Sequence, residues 1–123
     1  MIDSNFVILY VNNPQVSARF YEDLLEKQPV EASATFAMFA LPSGMRLGLW
    51  SKHTVEPAAE GYAGNGEIVF SADSNEQVDA LCSLWRDKGL EIMQEPVEMD
   101  FGYTFLALDP DGYRLRVYRL SIE

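Results

Sequence analysis

The sequence predicts an α+β fold: two pseudo-symmetric βαβββ units whose strands form a curved mixed sheet around a cleft, with the helices on its outer face. Three observations carry this. The run Leu41-Pro42-Ser43-Gly44-Met45-Arg46-Leu47-Gly48-Leu49-Trp50 returns 68 positions later as Asp109-Pro110-Asp111-Gly112-Tyr113-Arg114-Leu115-Arg116-Val117-Tyr118, with Pro, Gly, Arg and Leu in register. Residues 6–11 return as 67–72 at an offset of 61. Each of these runs leads into an Asx- and Ser-containing turn and then a stretch of helical periodicity. The repeats are placed at about 1–57 and 62–123 of a single domain.

The elements follow in order. An apolar strand over 6–11 is followed by Asn12-Asn13 and Pro14, a residue suited to the first position of a helix because its missing N–H is not needed there. Val16, Phe20 and Leu24 recur every four residues and are expected on the buried face. Strands are expected at 30–34, 35–41 and 45–51, the last two joined by a Pro42-Ser43-Gly44 turn. Residues 52–66, rich in Gly, Ala and Glu, read as a linker. After the strand at 67–72, Ser74 and Gln77 stand at capping-box spacing before a second helix. That helix turns Val78, Leu81, Cys82 and Trp85 to one side and stops at Gly89. Strands at 91–95, 103–108 and 113–120 close the second unit, with Pro110-Asp111-Gly112 as its turn.

Composition narrows the function. The chain of 123 residues is long enough for a core of its own, and 48% hydrophobic content excludes a disordered tail. No apolar run is long enough for a membrane helix, and the opening Met1–Asn5 has neither the basic start nor the apolar stretch of a secretion signal. One cysteine, Cys82, and one histidine, His53, allow neither an internal disulfide nor a Cys-based zinc cluster, so a cytoplasmic setting is expected. A net charge of −10 excludes nucleic acid and anionic membranes as partners and favours a cationic or neutral one.

Strand parity then sorts side chains by face. Val7, Leu9, Val11, Leu47 and Leu49, with Ile68, Phe70, Ala72, Leu115 and Val117, form an apolar set expected under the helices. Phe6, Ile8, Tyr10, Arg46, Gly48 and Trp50, with Glu67, Val69, Ser71, Arg114, Arg116 and Tyr118, form a mixed aromatic and charged set expected to line the cleft. Tyr103 and Phe105 share one face of their strand and are further candidates; Phe36 and Phe39 lie on opposite faces of theirs, and parity alone assigns neither pair. The competing account for the second set is an ordinary solvated sheet face or an oligomer contact.

Two segments carry a resemblance that spans nearly the whole chain. Ser17-Ala18-Arg19-Phe20-Tyr21-Glu22-Asp23-Leu24-Leu25 resembles the S-x-x-F-Y-x-x-L-L helix, and Asp109-Pro110-Asp111-Gly112-Tyr113-Arg114-Leu115 the D-P-D-G-N-x-I/L turn, of the vicinal oxygen chelate superfamily. That superfamily holds glyoxalases, bleomycin-resistance proteins and extradiol dioxygenases. Its metal enzymes place His, Gln or Glu at four pseudo-symmetric strand positions, which alignment sets here on Phe6, Gly48, Glu67 and Arg116. Only Glu67 can ligate a divalent ion, since guanidinium stays protonated, so no metal and no cofactor are expected.

The resemblance and the altered positions together imply binding of a planar, largely apolar and cationic or neutral small molecule without conversion, in the manner of the superfamily's antibiotic-resistance proteins. The expected ligand-binding residues are Trp50, Glu67, Arg116, Tyr118, Phe6, Gly48, Tyr10, Tyr103 and Phe105, with Glu67 and Arg116 as an ion pair and Trp50 as a stacking surface. Family members of this size imply a homodimer. The alternative is a metal-dependent lyase, isomerase or dioxygenase using a rearranged site of Glu67, His53 and Tyr10 or Tyr103; a third is a scaffold whose cleft is filled by its own side chains.

Overall fold

The computed structural model describes residues 2–120, which divide into two compact units, one running to Ala63 and one from Gly64. The first contains β1 (Phe6–Val11), α1 (Pro14–Leu25), β2 (Glu31–Ala32), β3 (Phe36–Ala40) and β4 (Arg46–Ser51). The second contains β5 (Glu67–Ser71), α2 (Asn75–Asp87), β6 (Ile92–Met99), β7 (Gly102–Leu108) and β8 (Arg114–Leu120). Each is a βαβββ unit with its own four-stranded mixed sheet, ordered β1-β4-β3-β2 and β5-β8-β7-β6.

The repeat extends to hydrogen-bond register. In each unit the first and last strands pair in parallel, Phe6 opposite Arg46 and Glu67 opposite Arg114, and the remaining pairs are antiparallel. The turns match as well. Gly44 and Gly112 hold φ of 96° and 84°, where a side chain would be strained, and each N–H returns to the carbonyl three residues back. Asp109 Oδ1 accepts from the backbone N–H groups of Asp111 and Tyr113, so this aspartate builds its own turn.

The helices start where their caps dictate. Asn13 accepts from the backbone N–H of Gln15 at 3.0 Å and of Val16 at 3.3 Å, and Pro14 opens α1. Ser74 accepts from Gln77 N–H at 3.0 Å, while the Gln77 side chain reaches one residue beyond the standard box to the Asp73 N–H. The buried face of α2 is Val78, Cys82 and Trp85, with Leu81 beside them half-buried. In α1 the buried face is Pro14, Ser17, Ala18, Tyr21 and Leu24, whereas Val16 is exposed and Phe20 only half-buried. A strict four-residue spacing drifts by about 40° per step around a helix of 3.6 residues per turn, and alternating steps of three and four hold one face.

In unit one, α1 packs against β3 and β4, burying Ala37, Phe39, Leu47 and Leu49. Val11 is buried as well, but Val7 is exposed and Leu9 half-buried, because β1 is an edge strand whose start lies outside the helix's main contacts. In unit two, α2 packs against β6, β7 and β8; Trp85 meets Phe70 and Phe105 edge-on over buried Leu115 and Val117. Among the described residues no helix is long and apolar enough to cross a membrane.

Candidate functional site

Unit one presents an aromatic face opposite α1. Trp50 sits between Tyr10 and Phe36, with ring centroids 6.4 and 6.3 Å away and both contacts edge-on. Phe36 pairs with Trp50 in the β3–β4 register, which assigns it to this face; Phe39, fully buried against Tyr21, belongs to the core. Phe6 and Gly48 are diagonal neighbours, because Phe6 stands opposite Arg46, two residues before the glycine. A Cβ at Gly48 would lie 2.8 Å from Phe6 Cε1 and 3.2 Å from both Ile8 and Phe36, so these side chains occupy the volume a larger residue would need.

Unit two repeats the diagonal with charge. Glu67 stands opposite Arg114 and meets Arg116: Arg116 Nε donates to Oε1 at 2.8 Å and Nη2 to Oε2 at 3.1 Å, the two-pronged geometry that fits guanidinium to carboxylate. Nη1 of Arg116 donates to Thr104 Oγ1 at 3.2 Å and to Gln94 Oε1 at 3.3 Å. The guanidinium carbon also lies 5.8 Å from the centre of the Phe101 ring, which contacts Tyr118 edge-on. The hydrogen bond from Arg116 holds the Glu67 carboxyl below its ordinary range, against partial desolvation and with help from the Arg114 charge.

Of the expected site residues, Trp50, Tyr10, Phe6 and Gly48 share one face of unit one, and Glu67, Arg116 and Tyr118 share one face of unit two. Tyr103 and Phe105 do not join them. Phe105 is fully buried against Trp85, and the Tyr103 hydroxyl donates to Asp79 on α2 at 2.7 Å, a bond that pushes its phenol up; both look toward the helix. This correction also removes Tyr103 from any site shared with Glu67. The residues that take their place are Thr104 and Leu106, of the opposite parity on β7, together with Gln94 and Phe101. Thr104 was readable, since the repeat aligns β7 with β3 and puts Thr104 opposite Tyr118 as Phe36 is opposite Trp50. Gln94 was not, because two register shifts along β6 break the alternation on which parity depends.

Other groups have local roles. His53 Nε2 lies 3.0 Å from Asn12 Oδ1 in unit one, and burial pushes the Cys82 thiol up, away from the reactive thiolate. The net acidity of the chain is not the sign of the Arg116 face, where two arginines accompany one glutamate and the local balance is positive.

Residues 4–117 match the model of the Glyoxalase/Bleomycin resistance protein/Dioxygenase superfamily. The chain belongs to this superfamily. It is 32% identical over 123 residues to the phenazine antibiotic resistance protein EhpR of Enterobacter agglomerans, covering 98% of this chain and 94% of that one. A protein of Agrobacterium tumefaciens, known from a solution NMR structure, is 49% identical with a TM-score of 0.90, covering 99% of this chain and all of that one. A glyoxalase/bleomycin resistance protein/dioxygenase from Nocardioides shares the fold at 19% identity, with a TM-score of 0.84 over 98% of this chain and 84% of its own.

The superfamily resemblance assigns its metal-ligand positions to Phe6, Gly48, Glu67 and Arg116, and their side chains do not fit a divalent ion. A phenyl ring and a glycine offer no donor, and Arg116 adds a fixed positive charge. Both oxygens of Glu67, the one remaining candidate ligand, already accept from that arginine. Among the described residues no group of three or more His, Cys, Asp or Glu side chains converges elsewhere.

Proposed function

We propose that this protein binds a planar, largely apolar small molecule and holds it without converting it, as a resistance protein does. The observation that carries the reading is the replacement at the superfamily's ligand positions: the phenyl ring of Phe6 against Gly48 in one unit, and a closed ion pair of Glu67 with Arg116 in the other. The first gives an apolar surface beside Trp50 and Tyr10; the second gives polar groups fixed in place by Thr104 and Gln94. Each surface is of a kind that small-molecule sites use, apolar rings in unit one and a few oriented polar groups in unit two. The relative named for phenazine antibiotic resistance makes a flat, fused-ring heteroaromatic the first ligand class to try. With this reading goes a homodimer, favoured by the exposed apolar side chains Val7 and Ile8 on β1 and Val69 on β5, and measurable by light scattering.

The test is titration with a phenazine while following tryptophan emission and melting temperature. Trp85 is enclosed in the core, so it reports little, and quenching is expected from Trp50. A ligand at about 100 times its Kd adds about 2.7 kcal/mol of stability, a rise on the order of 10 °C for a chain of this size. Trp50→Ala should remove most of the quenching and weaken binding by about tenfold or more. The bound compound should be recovered chemically unchanged. Conversion of the compound by protein carrying one tightly held divalent ion per chain would overturn the reading in favour of a metal enzyme.

A further inference from the structure

Unit two carries a hollow of about 200 Å³ lined by Met93, Gln94, Leu106, Arg114 and Arg116. Its two arginines are in different states. Arg116 already directs Nε and Nη2 at Glu67 and Nη1 at Thr104 and Gln94. Arg114, two residues earlier on the same face of β8, has one charged partner among the described residues, Glu67 Oε2 at 4.0 Å, too far for a hydrogen bond, and its side chain is 46% exposed. Because Glu67 gives both oxygens to Arg116, the guanidinium of Arg114 keeps its donors available to something else. Two guanidinium groups against one carboxylate leave an excess positive charge beside the hollow, while Leu106 and Met93 supply apolar wall.

We propose that this hollow of unit two seats a carboxylate of a planar ligand, gripped by the free donors of Arg114, with Leu106 and Met93 against the ligand's apolar part. The argument rests on the ligand reading given under Proposed function and adds to it the sign of the ligand's polar group. The acidic excess of the whole chain does not decide that sign. It is spread over the surface and screened beyond about 10 Å at moderate salt, whereas a group in the hollow lies against two arginines. A cationic substituent there would face like charge. A carboxylate matches the forked geometry of guanidinium, and its small size suits the volume.

Phenazine-1-carboxylate and phenazine-1-carboxamide share ring system and shape and differ in charge, so calorimetric titration of both at neutral pH isolates the effect. The intact protein is expected to bind the carboxylate at least about tenfold tighter, as a charge-assisted pair allows. Arg114→Gln should bring the two affinities to within about a factor of two. Equal binding of both probes by the unaltered protein, or a carboxylate preference that survives Arg114→Gln, overturns the inference and leaves the planar-ligand reading standing. Binding of neither probe by folded protein overturns that reading and the inference with it.

Discussion

Thr104 is fully buried, yet its hydroxyl does two jobs: it donates to the Val117 carbonyl at 2.7 Å and accepts from Arg116 Nη1 at 3.2 Å. Thr104→Val keeps the shape and deletes both, leaving a carbonyl and a guanidinium donor short of a partner. The expected loss is about 1 to 2 kcal/mol, read from the urea midpoint; an unchanged midpoint would mean that water replaces the hydroxyl. Glu67 offers a test by pH. Arg116 holds its folded-state pKa below the ordinary 4.5, so the ionised carboxylate stabilises the fold above that value, and the contribution is lost as pH falls through the lowered pKa. Melting temperatures of the unaltered protein and Glu67→Gln should therefore differ most near neutrality and converge in acid; a constant gap would show that charge is not the cause. The pair itself was expected from the resemblance, which sets Glu67 and Arg116 at two of the superfamily's four ligand positions; the repeat offsets only relate them to Phe6 and Gly48. Their partners Gln94 and Phe101 come from a bulged strand and the turn after it, where no periodic rule operates.

At the level of elements, strong local chemistry made boundaries readable, and its absence made faces ambiguous. Asn13-Pro14 and Ser74 mark helix starts because a side-chain acceptor must meet otherwise unpaired N–H groups, and both helices begin there. The buried stripe of α1 escapes a search for strong apolar residues because its members Ser17 and Ala18, though buried, carry little hydrophobic signal. The end of α1 is less well made than its start. Glu26 takes a left-handed conformation with φ of 54°, and its acidic side chain stands at the negative end of the helix dipole with no basic residue in the last turn. Glu26→Gly removes both penalties and is expected to stabilise by roughly 0.5 to 1 kcal/mol, whereas Asn13→Ala at the other end should cost about 1 kcal/mol. Opposite shifts in thermal midpoint check the pair; a destabilised Glu26→Gly would show that unfolded-chain entropy outweighs the relief.

For the whole molecule the sequence states a total and hides a distribution. Nine basic against nineteen acidic residues make the chain acidic, but the tally cannot reveal that β8 sets two arginines beside a single glutamate. The two levels respond differently to salt. Named local pairs, Glu67 with Arg116 and Arg86 with Glu95, are favourable but partly exposed, so each contributes little and weakens on screening. Against them stands a net charge of −10, whose mutual repulsion acts over about 30 Å at 10 mM ionic strength and over less than about 8 Å at 200 mM. Folding confines these charges, so screening relieves the native state more than the expanded chain. The repulsion involves more charges than the pairs do and should decide the sign: melting temperature is expected to rise by a few degrees across that range of NaCl. A flat or falling profile would show that short-range pairs govern the electrostatics of this fold despite their small number.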